Sequence, residues 1–138
     1  MLETYAAAAY APAMRYWTCR TLVFGAVLAL IVAVADRGGD VVHFVYAIPG
    51  ADKTAHCLLM GTLAFLANMA LAGRGWWLRR SWFPAGSVLV AILVTAEEAS
   101  QHFIPTRTLS LLDLLADYAG ILLLGSAALW WQHLRGGG

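Results

Sequence analysis

The chain has 138 residues, of which 61% are hydrophobic and 12% are charged, and its formal net charge is +1. Soluble domains carry about 25% charged residues, so this composition excludes an ordinary soluble domain and predicts a membrane protein. The small net charge gives no reason to expect a nucleic-acid partner.

Four apolar segments are long enough to cross about 30 Å of hydrocarbon as helices. Because lipid offers the backbone no hydrogen-bond partners, each segment is expected to be an α-helix. The predicted spans are residues 16–35, 54–72, 82–103 and 109–131. The sequence therefore predicts an all-α polytopic protein in which residues 1–138 form a single membrane domain, a bundle of four transmembrane helices.

Basic residues indicate the orientation of the spans, because cytoplasmic loops are enriched in lysine and arginine. They concentrate before the first span, after the second and at the C-terminal end, as Arg15, Arg20, Arg74, Arg79, Arg80 and Arg135. We therefore predict that both termini are cytoplasmic. The neighbouring tryptophans are expected to form an aromatic belt at the inner face, and they are Trp76, Trp77, Trp82, Trp130 and Trp131.

Charged and polar residues gather at the three span ends that this orientation places outside. They are Asp52, Lys53 and His56 in the second span, Glu97, Glu98, Gln101 and His102 in the third, and Arg107, Asp113 and Asp117 at the fourth. With a rise of 1.5 Å per residue, all of them fall within roughly 10 Å of the outer boundary. Placing an ionisable group in a membrane costs about 2.5–3.5 kcal/mol at the bilayer centre and less near its edge. Several such groups at the same depth therefore predict a functional site.

Helical spacing places members of each group on one helix face. The pairs that share a face are Asp52 with His56, Glu98 with Gln101, and Asp113 with Asp117. If the faces converge, five carboxylates stand against Lys53 and Arg107, which leaves a surplus of three negative charges. Protons, a metal cation, a cationic ligand or protonated histidines must offset such a surplus in a low dielectric.

Several of these residues also have simpler interpretations. Ser110 and Asp113 match a capping box, and Asp52 is a candidate helix cap. Glu98 is favoured over Glu97 as the inward residue, because it pairs with Gln101. Asp117 lies past the cap in an apolar run, where a carboxylate needs a partner.

Other residues of the second and fourth spans predict packing. Asn68 is expected to make interhelical hydrogen bonds. Gly61, Gly120 and Gly125 are small residues that allow two helices to approach closely, so the second and fourth spans are expected to be neighbours.

At these positions the chain resembles the VanZ-like family of small bacterial membrane proteins. The resemblance covers residues 52–125 and rests on Asp52-Lys53-x-x-His56, Glu98-x-x-Gln101-x-Phe103-x-x-x-Arg107, and Ser110-x-x-Asp113 followed by Gly120. It implies a multi-pass cell-envelope protein of the bacterial cytoplasmic (inner) membrane, linked in some relatives to antibiotic resistance of the teicoplanin type. Family members usually have asparagine where this chain has Asp117, which adds an acid to the site.

Three functions remain open from the sequence. The first is binding of, or chemistry on, a lipid-linked or amphiphilic anionic substrate such as an envelope precursor, and it leaves undecided whether the protein is an enzyme. In it, Arg107 and Lys53 bind the headgroup, and Glu98 or Asp113 acts as a base, through His56. Gln101, Asp52 and Asp117 complete the predicted substrate site, and membrane lipids are the expected partners.

The second function is a cation or proton site in a transporter, although only Asn68 continues the polar residues inward. The third is a structural or accessory role, in which the charges form an ion-pair network between helices. No cofactor is required and no residue is assigned to a metal, because the spacing matches no standard zinc site. The His and carboxylate set nevertheless leaves room for a divalent cation.

Overall fold

The computed structural model describes residues 15–30, 50–72, 74–78, 81–101 and 110–136. Within these ranges the chain forms four helices and one short hairpin, which confirms the predicted all-α class. The elements are α1 over residues 15–30, α2 (Ala51–Ala70), β1 (Gly75–Leu78), β2 (Ser81–Pro84), α3 (Ala85–Gln101) and α4 (Leu111–Gly136).

Helices α2 and α4 run parallel and form the centre of the molecule, and α3 packs against both. Their backbones come closest at two glycines. A methyl group on Gly61 would lie 2.7 Å from the carbonyl oxygen of Gly120, and one on Gly120 would overlap the carbonyl oxygen of Cys57. The predicted close approach of these two helices is confirmed, and it requires glycine because the opposing atoms are backbone.

The core beside this contact is built from small and β-branched side chains. It consists of Ala64, Ala67, Val90, Val94 and Ile121, all buried. Because α2 contributes only alanines here, its axis can lie close to those of α3 and α4. This close approach is what brings the ends of the three helices together.

Asn68 joins the three helices at the end where α2 finishes. Its side chain is fully buried, and its Nδ2 donates to Ser87 Oγ at 2.8 Å and to the Gly125 carbonyl at 3.2 Å. Its Oδ1 accepts the Ser87 N–H at 3.0 Å. That N–H belongs to the first turn of α3, where backbone donors have no partner inside the helix. The predicted interhelical hydrogen bonding of Asn68 is confirmed.

The predicted third span begins too early. Residues 81–84 form β2, which pairs antiparallel with β1, with Trp76 opposite Phe83 and Trp77 opposite Trp82. Aromatic residues favour strands, and Pro84 disfavours a helical conformation at the residue before it. The helix therefore starts at Ala85.

The start of the second span also differs from the prediction. Helix α2 begins at Ala51, three residues before the predicted start at residue 54, so Asp52 and Lys53 lie in its first turn. Its N-cap is Gly50, and no side chain caps it. Asp52 is therefore not the helix cap, which leaves its carboxylate available for contacts with other side chains.

Helix α1 contacts α2 on the side of the bundle. The rings of Trp17 and Phe65 meet edge to face with their centroids 6.4 Å apart, and Gly25 lies against Leu63. The end of the predicted first span, residues 31–35, lies outside the described part of the chain.

The outer faces of the helices carry large exposed apolar side chains. They include Leu58, Leu89, Ile92, Leu93, Leu115, Leu122, Leu123 and Trp130. Among the described helices, the segment Leu111–Arg135 is the one with both the length and the hydropathy to cross a membrane. Helix α3 has 17 residues and spans about 25 Å.

Candidate functional site

Three helix ends meet at one end of the bundle, which we call the polar end. Helices α2 and α4 both begin there, and α3 finishes there. The polar end is formed by Asp52, Lys53 and His56 of α2, Glu98 of α3, and Asp113 and Asp117 of α4. The structure therefore brings together side chains that lie up to 65 positions apart in the sequence.

Lys53 bridges α2 and α4. Its Nζ donates to Asp52 Oδ2 at 2.6 Å and forms an ion pair with Asp113 Oδ1 at 2.7 Å. Two carboxylates thus surround the Lys53 ammonium, which favours its charged form. The Lys53 side chain is 43% exposed, so this ion pair lies at the surface of the described bundle.

Asp113 Oδ1 is buried, and despite this ion pair no described group meets hydrogen-bond geometry with it. A buried carboxylate oxygen normally accepts at least one hydrogen bond. Among the described residues, the Lys53 ammonium is the group that offsets the charge of this oxygen.

His56 is oriented by Asp117. Its Nδ1 lies 3.0 Å from Asp117 Oδ1, and the Asp117 side chain is 1% exposed. When Asp117 is ionised its carboxylate can only accept, and the contact then requires the His56 proton on Nδ1, which is donated to Asp117. In the neutral ring the Nε2 lone pair is then free, and it faces Asp52 Oδ1 at 3.8 Å. The sequence indicated that Asp117 needs a partner, and in the structure that partner is His56.

Glu98 joins the end of α3 to the start of α4. It is buried with 3% of its surface exposed, and its Oε1 accepts the backbone N–H of Ser110. Ser110 Oγ in turn accepts the Asp113 N–H at 3.3 Å, so Ser110 caps α4. In a capping box, the side chain of Asp113 would accept the backbone N–H of the cap residue Ser110. Here Glu98 accepts that N–H, and Asp113 pairs with Lys53. The inward orientation predicted for Glu98 is confirmed.

Replacing Glu98 with leucine is expected to lower the free energy of unfolding by about 1–3 kcal/mol, because the Ser110 N–H loses its buried acceptor. Glu98→Gln keeps an acceptor oxygen and should cost less than half as much. Chemical denaturation in detergent micelles, with hydrogen exchange at the first turn of α4, measures both effects. Equal losses in the two variants would show that the charge, and not the hydrogen bond, is what stabilises this junction.

Part of the predicted site lies outside the described residues. This holds for Arg107, His102 and the side chain of Gln101, which is the last residue of α3. Their roles therefore stay predictions from the sequence. Of the two cations that the sequence sets against the carboxylates, Lys53 lies in the described part of the chain, and it offsets the charge of Asp113.

The arrangement supports two kinds of chemistry. Lys53 offers a half-exposed cation to an anionic group, and the oriented His56 offers a lone pair that can accept a proton. Comparisons with protein-family models, curated proteins and solved structures found no match. The resemblance to the VanZ-like family stays a prediction carried by the order and spacing of the motifs.

Proposed function

We propose that this chain is a multi-pass, VanZ-like protein of the bacterial cytoplasmic membrane. At the outward-facing edge of that membrane, it binds the anionic headgroup of an amphiphilic or lipid-linked substrate. The observation that carries the proposal is the pair of partly exposed side chains Lys53 and His56, with His56 held by the buried Asp117, at one end of a helical bundle with apolar sides.

The apolar sides support the membrane location. Contiguous exposed apolar surface on a soluble protein is unusual and marks contact with a membrane or a partner. At the end of α4 away from the polar end, the Arg135 guanidinium lies 4.6 Å from the ring centroid of Trp131. Basic and tryptophan side chains together are typical of a membrane interface. We propose four spans with both termini cytoplasmic, which places the polar end outside.

Lys53 supports an anionic ligand. Its ammonium group has three donors, and two described carboxylates occupy part of them. With the polar end at the membrane edge, the exposed part of the Lys53 side chain lies at the depth of the lipid headgroups. By the family resemblance, Arg107 and Gln101 add further contacts to the headgroup, Arg107 through paired hydrogen bonds.

If the substrate is turned over, the geometry favours His56 as the base. Asp117 fixes the ring through Nδ1 and leaves Nε2 as the acceptor, as a carboxylate does for a catalytic histidine in many enzymes. Glu98 already accepts a backbone N–H, and Asp113 is paired with Lys53. Glu98 and Asp113, which the sequence predicted as bases, are better placed to hold the start of α4 and the Lys53 side chain in position.

Native mass spectrometry of protein purified in mild detergent tests the binding proposal. The wild type is expected to carry a co-purified anionic lipid, and Lys53→Ala should retain at least about tenfold less of it, because a charged contact is worth roughly 1.5–3 kcal/mol. His133→Gln is the matched control, since His133 is exposed near the other end of α4. A lipid-free wild type, or equal lipid in Lys53→Ala and the control, would contradict the proposal.

A structural role is the second candidate, favoured by the way Lys53 links α2 to α4. In that case the wild type is lipid-free and single variants only lose stability. Lys53→Met combined with Asp113→Leu should then recover part of the stability that Lys53→Met alone removes, because the Asp113 carboxylate is no longer left without its cation. Double-variant denaturation in the same detergent separates the two candidates.

A further inference from the structure

We infer that Asp52, His56 and Asp113 form a binding site for one divalent transition-metal cation of the Zn²⁺ or Mn²⁺ class, in which the Lys53 ammonium group is a built-in competitor. One donor atom from each of the three residues lies within 4.8 Å of the other two. The inference goes beyond the proposed function and does not depend on it.

The donor set suits such an ion. It contains one imidazole nitrogen and two carboxylate oxygens, which zinc and manganese both accept. Zinc bonds of about 2.1 Å in a tetrahedron place neighbouring ligand atoms about 3.4 Å apart. The distance from His56 Nε2 to Asp52 Oδ1 is 3.8 Å, and all three donor atoms lie within 4.8 Å of one another, so the ligands must approach by roughly 0.4–1.4 Å to bind the ion. Three protein ligands leave a fourth position open, as in catalytic zinc centres.

Asp117 prepares His56 to bind a metal through Nε2. Metal-binding histidines usually donate their other ring N–H to a carboxylate or carbonyl, which fixes the ring and the tautomer. Asp117 makes this contact with Nδ1 at 3.0 Å from a buried position on α4. It is a positioning residue, because it acts on the ion only through His56.

A cation already occupies the space between the two ligand carboxylates. Among the described residues, the Lys53 ammonium contacts both of them, the buried Asp113 Oδ1 at 2.7 Å and Asp52 Oδ2 at 2.6 Å. The three carboxylates Asp52, Asp113 and Asp117 with one ammonium leave a local charge of about −2, if His56 is neutral. A long lysine side chain can move its ammonium group into solvent and give up this position to a metal ion.

The test uses the full chain, purified in detergent, treated with EDTA and titrated with ZnCl₂ and, separately, MnCl₂ by calorimetry. We expect one ion per chain for at least one of the two metals. Lys53→Met should bind that metal about tenfold more tightly, because the competing cation is gone. Asp117→Asn should bind about 10- to 100-fold more weakly, and His56→Gln at least 100-fold more weakly. His133→Gln is the matched control and should equal the wild type.

Two results would overturn the inference. One is the absence of stoichiometric binding in both the wild type and Lys53→Met, and the other is wild-type affinity in His56→Gln. Circular dichroism checks that each variant keeps its helices. If His56→Gln does not fold, Lys53→Met decides the matter, since an affinity equal to or lower than that of the wild type contradicts a competing lysine. Lipid is absent from this titration, so the result is separate from the lipid-binding test.

Discussion

Replacing Gly120 with alanine is expected to lower the free energy of unfolding by about 3 kcal/mol, the upper part of the usual range for overpacking a tight core. The added methyl group would overlap the carbonyl oxygen of Cys57. This neighbour is backbone and cannot rotate away, so α2 and α4 must move apart. Asp117 lies one turn before Gly120 and His56 directly precedes Cys57, so the same movement should break their hydrogen bond.

Gly25→Ala is the matched control for this change. A methyl group on Gly25 would meet one atom, Leu63 Cδ1, at an ordinary contact distance of 4.0 Å. Because alanine is the better helix former, the control should be neutral or stabilising by up to about 1 kcal/mol. Denaturation of both variants in mixed detergent micelles gives the comparison. Similar stabilities would contradict the close approach of α2 and α4.

Asn68→Ala is expected to lower the free energy of unfolding by about 2–3 kcal/mol. The change removes the two bonds donated by Asn68 and the one that it accepts. It leaves the Ser87 N–H without its acceptor in a partly buried position, and unsatisfied buried groups cost about 1–3 kcal/mol each. Hydrogen exchange should rise at the first turn of α3, because that turn is tied to α2 through this side chain.

The comparison for Asn68→Ala is Ser100→Ala. Ser100 is exposed, and its hydroxyl donates to the Glu97 carbonyl within its own helix at 2.6 Å. Its loss should change the stability by no more than about 0.5 kcal/mol. If Asn68→Ala costs as little as this control, the three helices are held at that end by apolar packing and not by the buried amide.

Helix α2 is therefore held to its neighbours by polar contacts near both ends and by small residues between them. His56 and Asn68 are 12 residues apart in sequence, which corresponds to about 18 Å along the axis. Between them, Gly61 and the alanines allow close contact but provide little directional preference. Hydrogen bonds at the two ends select one rotation and one register of α2 against α4, since a shift by one residue would break both sets.

The sequence by itself determined the helical class, the neighbouring positions of α2 and α4, and the inward orientation of Glu98. These follow from local properties: apolar runs of sufficient length, small residues at the contact, and helical spacing. It did not predict the hairpin, because the aromatic residues around Pro84 are as compatible with an interfacial helix start as with a strand. The exact start of a helix depends on a few turn residues, which carry a weaker signal than a whole span.

Only the tertiary structure decided which charged groups are partners. Lys53 could offset any of several carboxylates, yet it lies between Asp52 and Asp113, and His56 pairs with Asp117, 61 positions away. Glu98 accepts a backbone N–H from Ser110 that a local capping box would have kept within α4. Helical spacing determines which side chains share a face, whereas pairing depends on the distance and rotation between helices. Those are set at the Gly61–Gly120 contact, where neither residue carries a charge.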